Sequence, residues 1–328
     1  MTNSKISFFK KYRPNIIEDF LFNIDLEEIL HFFLESNELN MFIHGASGCG
    51  KTSLLQVLIN KYYKLNELTT NEKNEIVQKN VFYINSLSEY GINFFRNEVK
   101  TFCKIPSFLT NKKKIVVIDD IDNINEQSQQ VLRNYISKYK HNIFFMASCT
   151  NIQKIISNLQ SRLNIISIPH ITNEKLKIHA EKIIKNENLI IDEESKTFLL
   201  KISNYSLRIL ITYLEKIYLL DDTIDIKICK SICTNIDYSL LSDYTYEIFE
   251  MRNIENAIYI IKSIFDTGYS VIDIFETYFL YVKNTTILDE KLKYNIIKNI
   301  TKYISYFYTK HEDEIELYLF TNDIYNLL

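Results

Sequence analysis

The stretch GASGCGKTS, residues 45–53, holds three of the five glycines in a chain of 328 residues. It fits G-x-x-x-x-G-K-[ST], a spacing in which glycines let successive backbone N–H groups turn inward around phosphate oxygens. Across Gly45, Ala46, Ser47, Gly48, Cys49, Gly50, Lys51, Thr52 and Ser53, the backbone would cradle ATP. Lys51 is spaced to reach the β and γ phosphates, and Thr52 to ligate Mg2+. The competing reading is a structural glycine-rich turn. A second constellation, KKIVVIDDID, reads as a strand ending in Asp119, placed to hold Mg2+ through water. Asp120 follows where a hydrolytic ATPase needs a carboxylate base beside the γ phosphate. Alone, such acids could mark only the start of a loop; after a phosphate loop and an apolar strand they read as the second half of a nucleotide site.

These residues need a scaffold, and the surrounding text supplies one. MFIHG before the loop reads as a strand, and SLLQVLINKYY after it as a helix whose positive end faces the phosphates. From about residue 40 to 166, NMFIHG, NVFYINS, KKIVVIDD, NIFFMASCT and NIISIP read as buried strands separated by stretches long enough for crossover helices. That alternation specifies a parallel α/β sheet with flanking helices. The crossover NEQSQQVLRNYISKYK carries a helical stripe at Val131, Leu132, Tyr135 and Ile136. After Pro169 the strand signals stop. TNEKLKIHAEKIIKNEN, DEESKTFLLKISN and SLRILITYLEKIYLL read as amphipathic helices, with Thr172 and Asp192 as N-caps. From about 235 the pattern stays helical and becomes more aromatic, and NAIYIIKSIFDTG closes on Gly268. Boundaries near 166 and 232 give three domains: a nucleotide module over 1–166, a helical lid over 167–232 and a helical domain over 233–328.

Composition narrows the class further. With 46% hydrophobic and 24% charged residues the chain reads as globular, and its apolar runs are strand-sized, short of a membrane span. No signal peptide is read in MTNSKISFFKKYRP, and secretion is not expected. Five scattered cysteines fit free thiols in a reducing compartment, and CKSIC places Cys229 and Cys233 one helical turn apart. The net charge of −3 excludes a uniformly basic nucleic-acid binder but not a local basic surface. The excess of Ile, Asn and Lys looks like the imprint of an AT-rich genome.

Beginning with FFKKYRP, the chain resembles the AAA+ clamp-loader ATPases, in particular the small subunits of replication factor C, which start with a W-x-E-K-Y-R-P box. Phe8 stands for the tryptophan, and Lys11, Tyr12, Arg13 and Pro14 are intact. NSLSEYGINFFRNEVKTF resembles the family's N-A-S-D-E-R-G-I-N-x-x-R-x-x-[IV]-K-x-F. QSQQVLRN resembles its A-Q-x-A-L-R-R helix, SCTNIQKIISNLQSRL its sensor-1 strand and S-R-C motif, ISNYSLRILITYL its G-D-M-R sensor-2 helix, and TGYSVIDIF a motif of its C-terminal collar. The similarity runs from residue 8 to about 280 in the family's order.

The resemblance implies that Tyr12, Arg13 and Pro14 lie near the adenine and ribose, and that Arg208 in the lid contacts the γ phosphate. Arg162 would act in trans, as an arginine finger in a neighbouring subunit's site, and Thr150 would take the sensor-1 place. DNA contact is implied for helices beginning near Gly91 and Asn125, through Arg96, Lys100 and Arg133. Arg96 and Lys100, four apart, would share one helix face. Read by themselves, these arginines and lysines are solvated charges. The implied partners are other clamp-loader subunits in a pentamer-like spiral, a sliding clamp and primer-template DNA. The implied site of action is the nucleus, or a cytoplasmic replication site for a viral chain.

The chain departs from that pattern at four places: Asp120 replaces a glutamate, Thr150 an asparagine with Asn151 adjacent, Tyr205 and Ser206 a Gly-Asp pair, and Leu163 a cysteine. Three functions therefore stand open: an ATP-hydrolysing clamp-loader subunit stimulated by DNA and clamp, a nucleotide-binding subunit that hydrolyses weakly and serves structurally, and an AAA+ ATPase of another DNA process such as checkpoint or recombination.

Overall fold

The computed structural model describes residues 7–85, 91–203, 206–220, 225–233, 236, 238–307 and 313–327. Each of the five apolar runs forms a strand: β1 Met41–His44, β2 Val81–Asn85, β3 Lys114–Asp119, β4 Ile143–Cys149 and β5 Asn164–Ser167. They pair in parallel as one sheet in the order β2-β3-β4-β1-β5. The runs are apolar without alternation because both sheet faces are covered. Met41, Ile43, Ile115, Val117, Phe144 and Met146 pack on one side with Leu54 and Leu58 of helix Lys51–Tyr62. Their neighbours Phe42, Val116, Ile118, Phe145 and Ala147 pack on the other side with Phe95, Val99, Leu132 and Ile136.

This order sets β1 between β4 and β5, with Met41 opposite both Met146 and Asn164. The carboxyl ends of β1, β3 and β4 therefore lie side by side, where parallel sheets gather their ligands. Helix Glu126–Tyr139 starts from Asn125, whose side chain accepts the Ser128 N–H at 2.9 Å. Gln129 in its first turn is 1% exposed and fully engaged. Its Nε2 donates to the carbonyls of Ile124 (2.9 Å) and Lys154 (3.2 Å), and its Oε1 accepts the Ile156 N–H at 3.0 Å. One amide thus pins the segment that follows β4 to the helix that precedes it.

The segment expected to begin a helix near Gly91 does so, but not as a plain α-helix. Ile92–Phe94 leads into a π-helical turn, Phe95–Val99, before Lys100–Lys104. Phe95 and Val99 still point into the core, so Arg96 and Lys100, each one residue further on, both stay exposed. The preceding part of that motif, residues 86–90, lies outside the described residues, as does Tyr205.

The chain divides into two compact units, Met1–His179 with Tyr205–Ile211, and Ala180–Asn204 with Thr212–Leu328. Helices Asn173–Asn186, Glu193–Ile202 and Leu207–Leu220 form as expected after Pro169. Thr172 and Asp192 are their caps, accepting the N–H of Lys175 at 3.4 Å and of Ser195 at 2.9 Å. In the second unit a core of Tyr244, Phe275, Tyr278 and Phe320 is tied by a buried hydroxyl pair, Tyr244 to Thr321 at 2.9 Å. Gly268, at φ 101°, ends helix Ile254–Asp266 in the left-handed conformation its position called for. Cys229 and Cys233 share helix Ile226–Cys233, and all five cysteines are free and buried. Among the described residues no helix is long and apolar enough to cross a membrane.

Replacing Gln129 by Leu strands two carbonyls and one N–H in the interior. Each such group costs about 1–3 kcal/mol unless it finds another partner, so Gln129→Leu is expected to destabilise the chain by roughly 3 kcal/mol, read from the midpoint of urea denaturation.

Candidate nucleotide site

The turn from β1 into helix Lys51–Tyr62 is shaped by two residues with positive φ, Gly48 at 77° and Gly50 at 98°. A side chain is disfavoured at both, and at Gly48 it would also meet the Ser206 hydroxyl, 2.5 Å from an added Cβ. Lys51, 6% exposed, folds back over the turn and donates to the carbonyls of Gly45 (3.1 Å) and Ala46 (2.9 Å). Its ammonium therefore sits inside the mouth of the loop. Cys49 is packed beneath it, and burial raises its thiol pKa.

Thr52, one residue into the helix, donates to both carboxylate oxygens of Asp119, at 3.1 and 2.9 Å. Ser148 on β4 donates to the same carboxylate and accepts the Asp120 N–H at 2.9 Å. Asp119 and Thr52 thus present hard oxygen donors side by side at the edge of the phosphate loop. That donor set fits Mg2+, which takes one or two protein oxygens and completes its shell with phosphate and water.

Asp120 lies in the left-handed region at φ 51°, a turn that swings its carboxyl off the strand axis. Burial raises its pKa first, and the neighbouring Asp119 carboxylate raises it further, against the opposing pull of Lys51. Asp122 shows the opposite balance. Burial works to raise its pKa but is outweighed by hydrogen bonds from the Thr150 hydroxyl and the N–H groups of Thr150 and Asn151, so it is lowered. Those three bonds, 2.5, 3.2 and 3.1 Å, all end on one oxygen, Oδ2.

A cavity of about 800 Å3 opens over these groups, entirely within the first unit. It brings together residues from distant parts of the sequence: Tyr12, Arg13 and Pro14, the loop from Ser47 to Ser53, Asp119 and Asp120, Thr150, and Arg208. Gly45 and Ala46 contribute through the carbonyls that hold Lys51. Phe8, in the place of the family's tryptophan, is buried and packs edge-on against Tyr12 at 5.6 Å. The guanidinium of Arg208 lies 5.8 Å from the ring of Phe9, a cation–π contact within the cavity wall.

Other members of the wall carry no sequence signal of their own. Phe20 and Phe22 stack at 4.8 Å, and Lys175 ties their strap down by donating to the Leu21 carbonyl (2.6 Å) and Asn23 Oδ1 (2.9 Å). His170 and His179 also line the cavity. Asp122 was visible only as the last letter of DDID, and Ser148 as one polar residue in an apolar strand.

The remaining sequence-marked residues lie elsewhere. Arg162 does not line the cavity; it is exposed, with Nε donating to Ser137 Oγ at 2.7 Å and a terminal nitrogen to the Asn158 carbonyl. Arg96 and Lys100 are exposed on their helical segment, whereas Arg133 is half-buried with its Nε sealed from solvent and without a partner.

Residues 41–169 match the profile of the ATPase family associated with various cellular activities (AAA), and residues 237–305 that of the replication factor C C-terminal domain. A protein of Acanthamoeba polyphaga mimivirus described as a replication factor C small subunit is 28% identical over 298 residues, 90% of this chain and 89% of its own. Replication factor C subunit 3 of Schizosaccharomyces pombe is 26% identical over 78% of this chain and 72% of its own. Among solved structures, a Thermotoga maritima RuvB variant superposes with a TM-score of 0.52 at 15% identity, over 85% of this chain and 96% of that one. At that identity the likeness is one of fold, a P-loop AAA+ module followed by helices.

Because Asp120 titrates above its unfolded value, the folded chain holds that proton more tightly than the unfolded one. The cost of ionising it is absent below the unfolded pKa and complete above the folded one. Asp120→Asn is therefore expected to raise the Tm of the nucleotide-free chain at neutral pH, by an amount that shrinks as the pH falls into the carboxylate range. A gain that is the same at every pH would remove charge as its cause, leaving the better tolerance of Asn for φ 51°.

Proposed function

We propose that this relative of the replication factor C small subunits is a clamp-loader subunit that binds ATP with Mg2+ and hydrolyses it to drive a sliding clamp onto primer-template DNA. The observation that carries the reading is the convergence of Lys51, Thr52, Asp119 and Asp120 on one cavity that Tyr12, Arg13, Pro14 and Arg208 also line. The loop and the acids, with Arg208 beside Gly48, would form its phosphate end, and Tyr12, Arg13 and Pro14 its base end.

The phosphate end works through this chain's own groups. Backbone N–H groups from Gly45 to Gly50 and the helix start at Lys51 meet the phosphates, and the Lys51 ammonium exchanges its two carbonyl partners for phosphate oxygens. Thr52 and Asp119 would hold Mg2+, which neutralises charge on the β and γ phosphates when bound. Asp120 accepts a proton from the attacking water as the new P–O bond forms and the bond to the ADP oxygen breaks. Its pKa, raised by burial and by the Asp119 carboxylate, makes it a better proton acceptor than an ordinary aspartate. Arg208 would read the terminal phosphate from the lid, taken as 167–232, and the helical collar, 233–328, would join sister subunits.

Arg162 is proposed to serve a neighbouring subunit, stabilising charge on the transferring phosphoryl group there. Its exposure and its absence from this chain's own cavity support action in trans. Arg96 and Lys100 are proposed to track DNA phosphates, and Arg133, being half-buried, to act from within the wall of that channel. The site of action is then the nucleus, or a cytoplasmic replication site for a viral chain.

One observation favours the second reading, a subunit that binds nucleotide but turns it over slowly. Asp120 is one methylene shorter than the glutamate of the family. Lys51→Ala is expected to lower ATP affinity at least tenfold by equilibrium titration, and to lower DNA- and clamp-stimulated turnover of the assembled complex. Affinity lost with turnover unchanged would leave the structural reading standing. Arg162→Ala is expected to slow hydrolysis at a neighbour's site by about 10³-fold or more while this chain's own ATP affinity is kept; loss of that affinity instead would rule out action in trans.

A further inference from the structure

The turn after β3 and the end of β4 meet at one side-chain pair. Asp122 Oδ2 accepts the Thr150 hydroxyl at 2.5 Å together with the N–H groups of Thr150 (3.2 Å) and Asn151 (3.1 Å). Its other oxygen, Oδ1, is buried and has no partner. Thr150 and Asp120 both line the nucleotide cavity, and Asn151 does not; the Asn151 side-chain oxygen accepts the Gln153 N–H at 2.9 Å.

A hydroxyl has one proton to donate and two lone pairs with which to accept. An ionised carboxylate only accepts, so in the Asp122–Thr150 bond the proton belongs to Thr150 and is directed to Asp122, which does not line the cavity. What Thr150 then offers to the cavity is oxygen lone pairs. A terminal phosphate oxygen is also an acceptor and cannot bond to them, but a water molecule can donate one of its protons there. We propose that Asp122 is a positioning residue: by taking the Thr150 proton it turns the Thr150 oxygen into an acceptor facing the nucleotide, so that Thr150 holds the attacking water and does not donate to the terminal phosphate. The inference rests on the ATP reading above and assigns a polarity to one hydroxyl within it. Thr150 and Asp120 then grip the same water by its two protons.

The decisive readout is nucleotide preference, which exists whether or not the chain turns ATP over. Calorimetric titration of the full chain with ATPγS and with ADP gives an affinity ratio. Thr150→Val, which keeps the shape and removes the hydroxyl, is expected to leave that ratio within threefold of native. A fall of more than threefold would mean that Thr150 donates to the terminal phosphate, and would overturn the proposal. Asp122→Ala frees the hydroxyl to donate, and is expected to raise the preference for ATPγS more than threefold. The double variant Asp122→Ala/Thr150→Val should return it to native, an effect that a loosened turn alone would not reverse. Asp122→Asn should restore the native ratio, because its amide oxygen can accept the same three bonds with the NH2 in place of the unpartnered oxygen. An Asp122→Ala chain that folds, binds ADP normally and shows no change in ratio would also overturn the proposal; should it not fold, Thr150→Val decides alone. Under turnover, Thr150→Val is expected to lower kcat at unchanged KM and Thr150→Ser to recover it. A native chain that binds neither nucleotide defeats the ATP reading and this inference together, whereas one that binds ATPγS but fails the Thr150→Val criterion defeats the inference alone.

Discussion

Three carboxylates within four residues repel one another, and the site pairs two of them, Asp119 and Asp122, with separate hydroxyls. Asp119 takes hydroxyl protons from Thr52 and Ser148, and Asp122 takes one from Thr150 and two N–H groups. Asp120 receives no such relief. Its backbone N–H is held by Ser148 and its φ is left-handed, and burial and the Asp119 carboxylate raise its pKa. The hydroxyls come from β4 and from the helix after β1, so the parallel pairing of β3 with β4, and of β4 with β1, is what allows the charges to coexist. A carboxyl with a raised pKa beside hydroxyl-bonded neighbours is what makes Asp120 the candidate base of the site.

How much of this could be read from the letters varies with the range of the interaction. The strands were legible because burial on both faces demands unbroken apolar runs, and IVVI or IFFM admits little else. The phosphate loop was legible because a backbone folded around an anion needs glycine at fixed places, and this chain has few glycines to confuse the signal. Asp119 and Asp120 followed from their position at the end of such a strand. The Thr150–Asp122 bond was not legible, since residues 28 apart in sequence meet only through the register of β3 on β4. Nor were Phe20, Phe22 and Lys175, whose place in the cavity depends on a strap fastened across more than 150 residues. The π turn at Phe95–Val99 escapes any reading based on a period of 3.6, because the buried pair Phe95 and Val99 keeps the spacing of an α-helix.

The departures from the clamp-loader pattern also gain a physical content. Ser206, where the resemblance places an aspartate, lies against Gly48 in the phosphate loop. A neutral hydroxyl there adds no negative charge beside the place proposed for phosphate, so this departure is compatible with nucleotide binding. The change at Thr150 is of a different kind, because an asparagine has both a donor and an acceptor to present, whereas this threonine has already given its proton away.

The sheet order carries a consequence for how the chain is made. β1 has no neighbour near it in sequence: its partners are β4, about 100 residues later, and β5, later still. On the ribosome the strand that leads into the phosphate loop must wait, unpaired and apolar, until most of the first unit has been synthesised. β2 waits less, because β3 follows it within some thirty residues. The part of the protein that would grip a nucleotide is therefore among the last to be secured, and the newborn chain is most exposed to mispairing at the strand that leads into it.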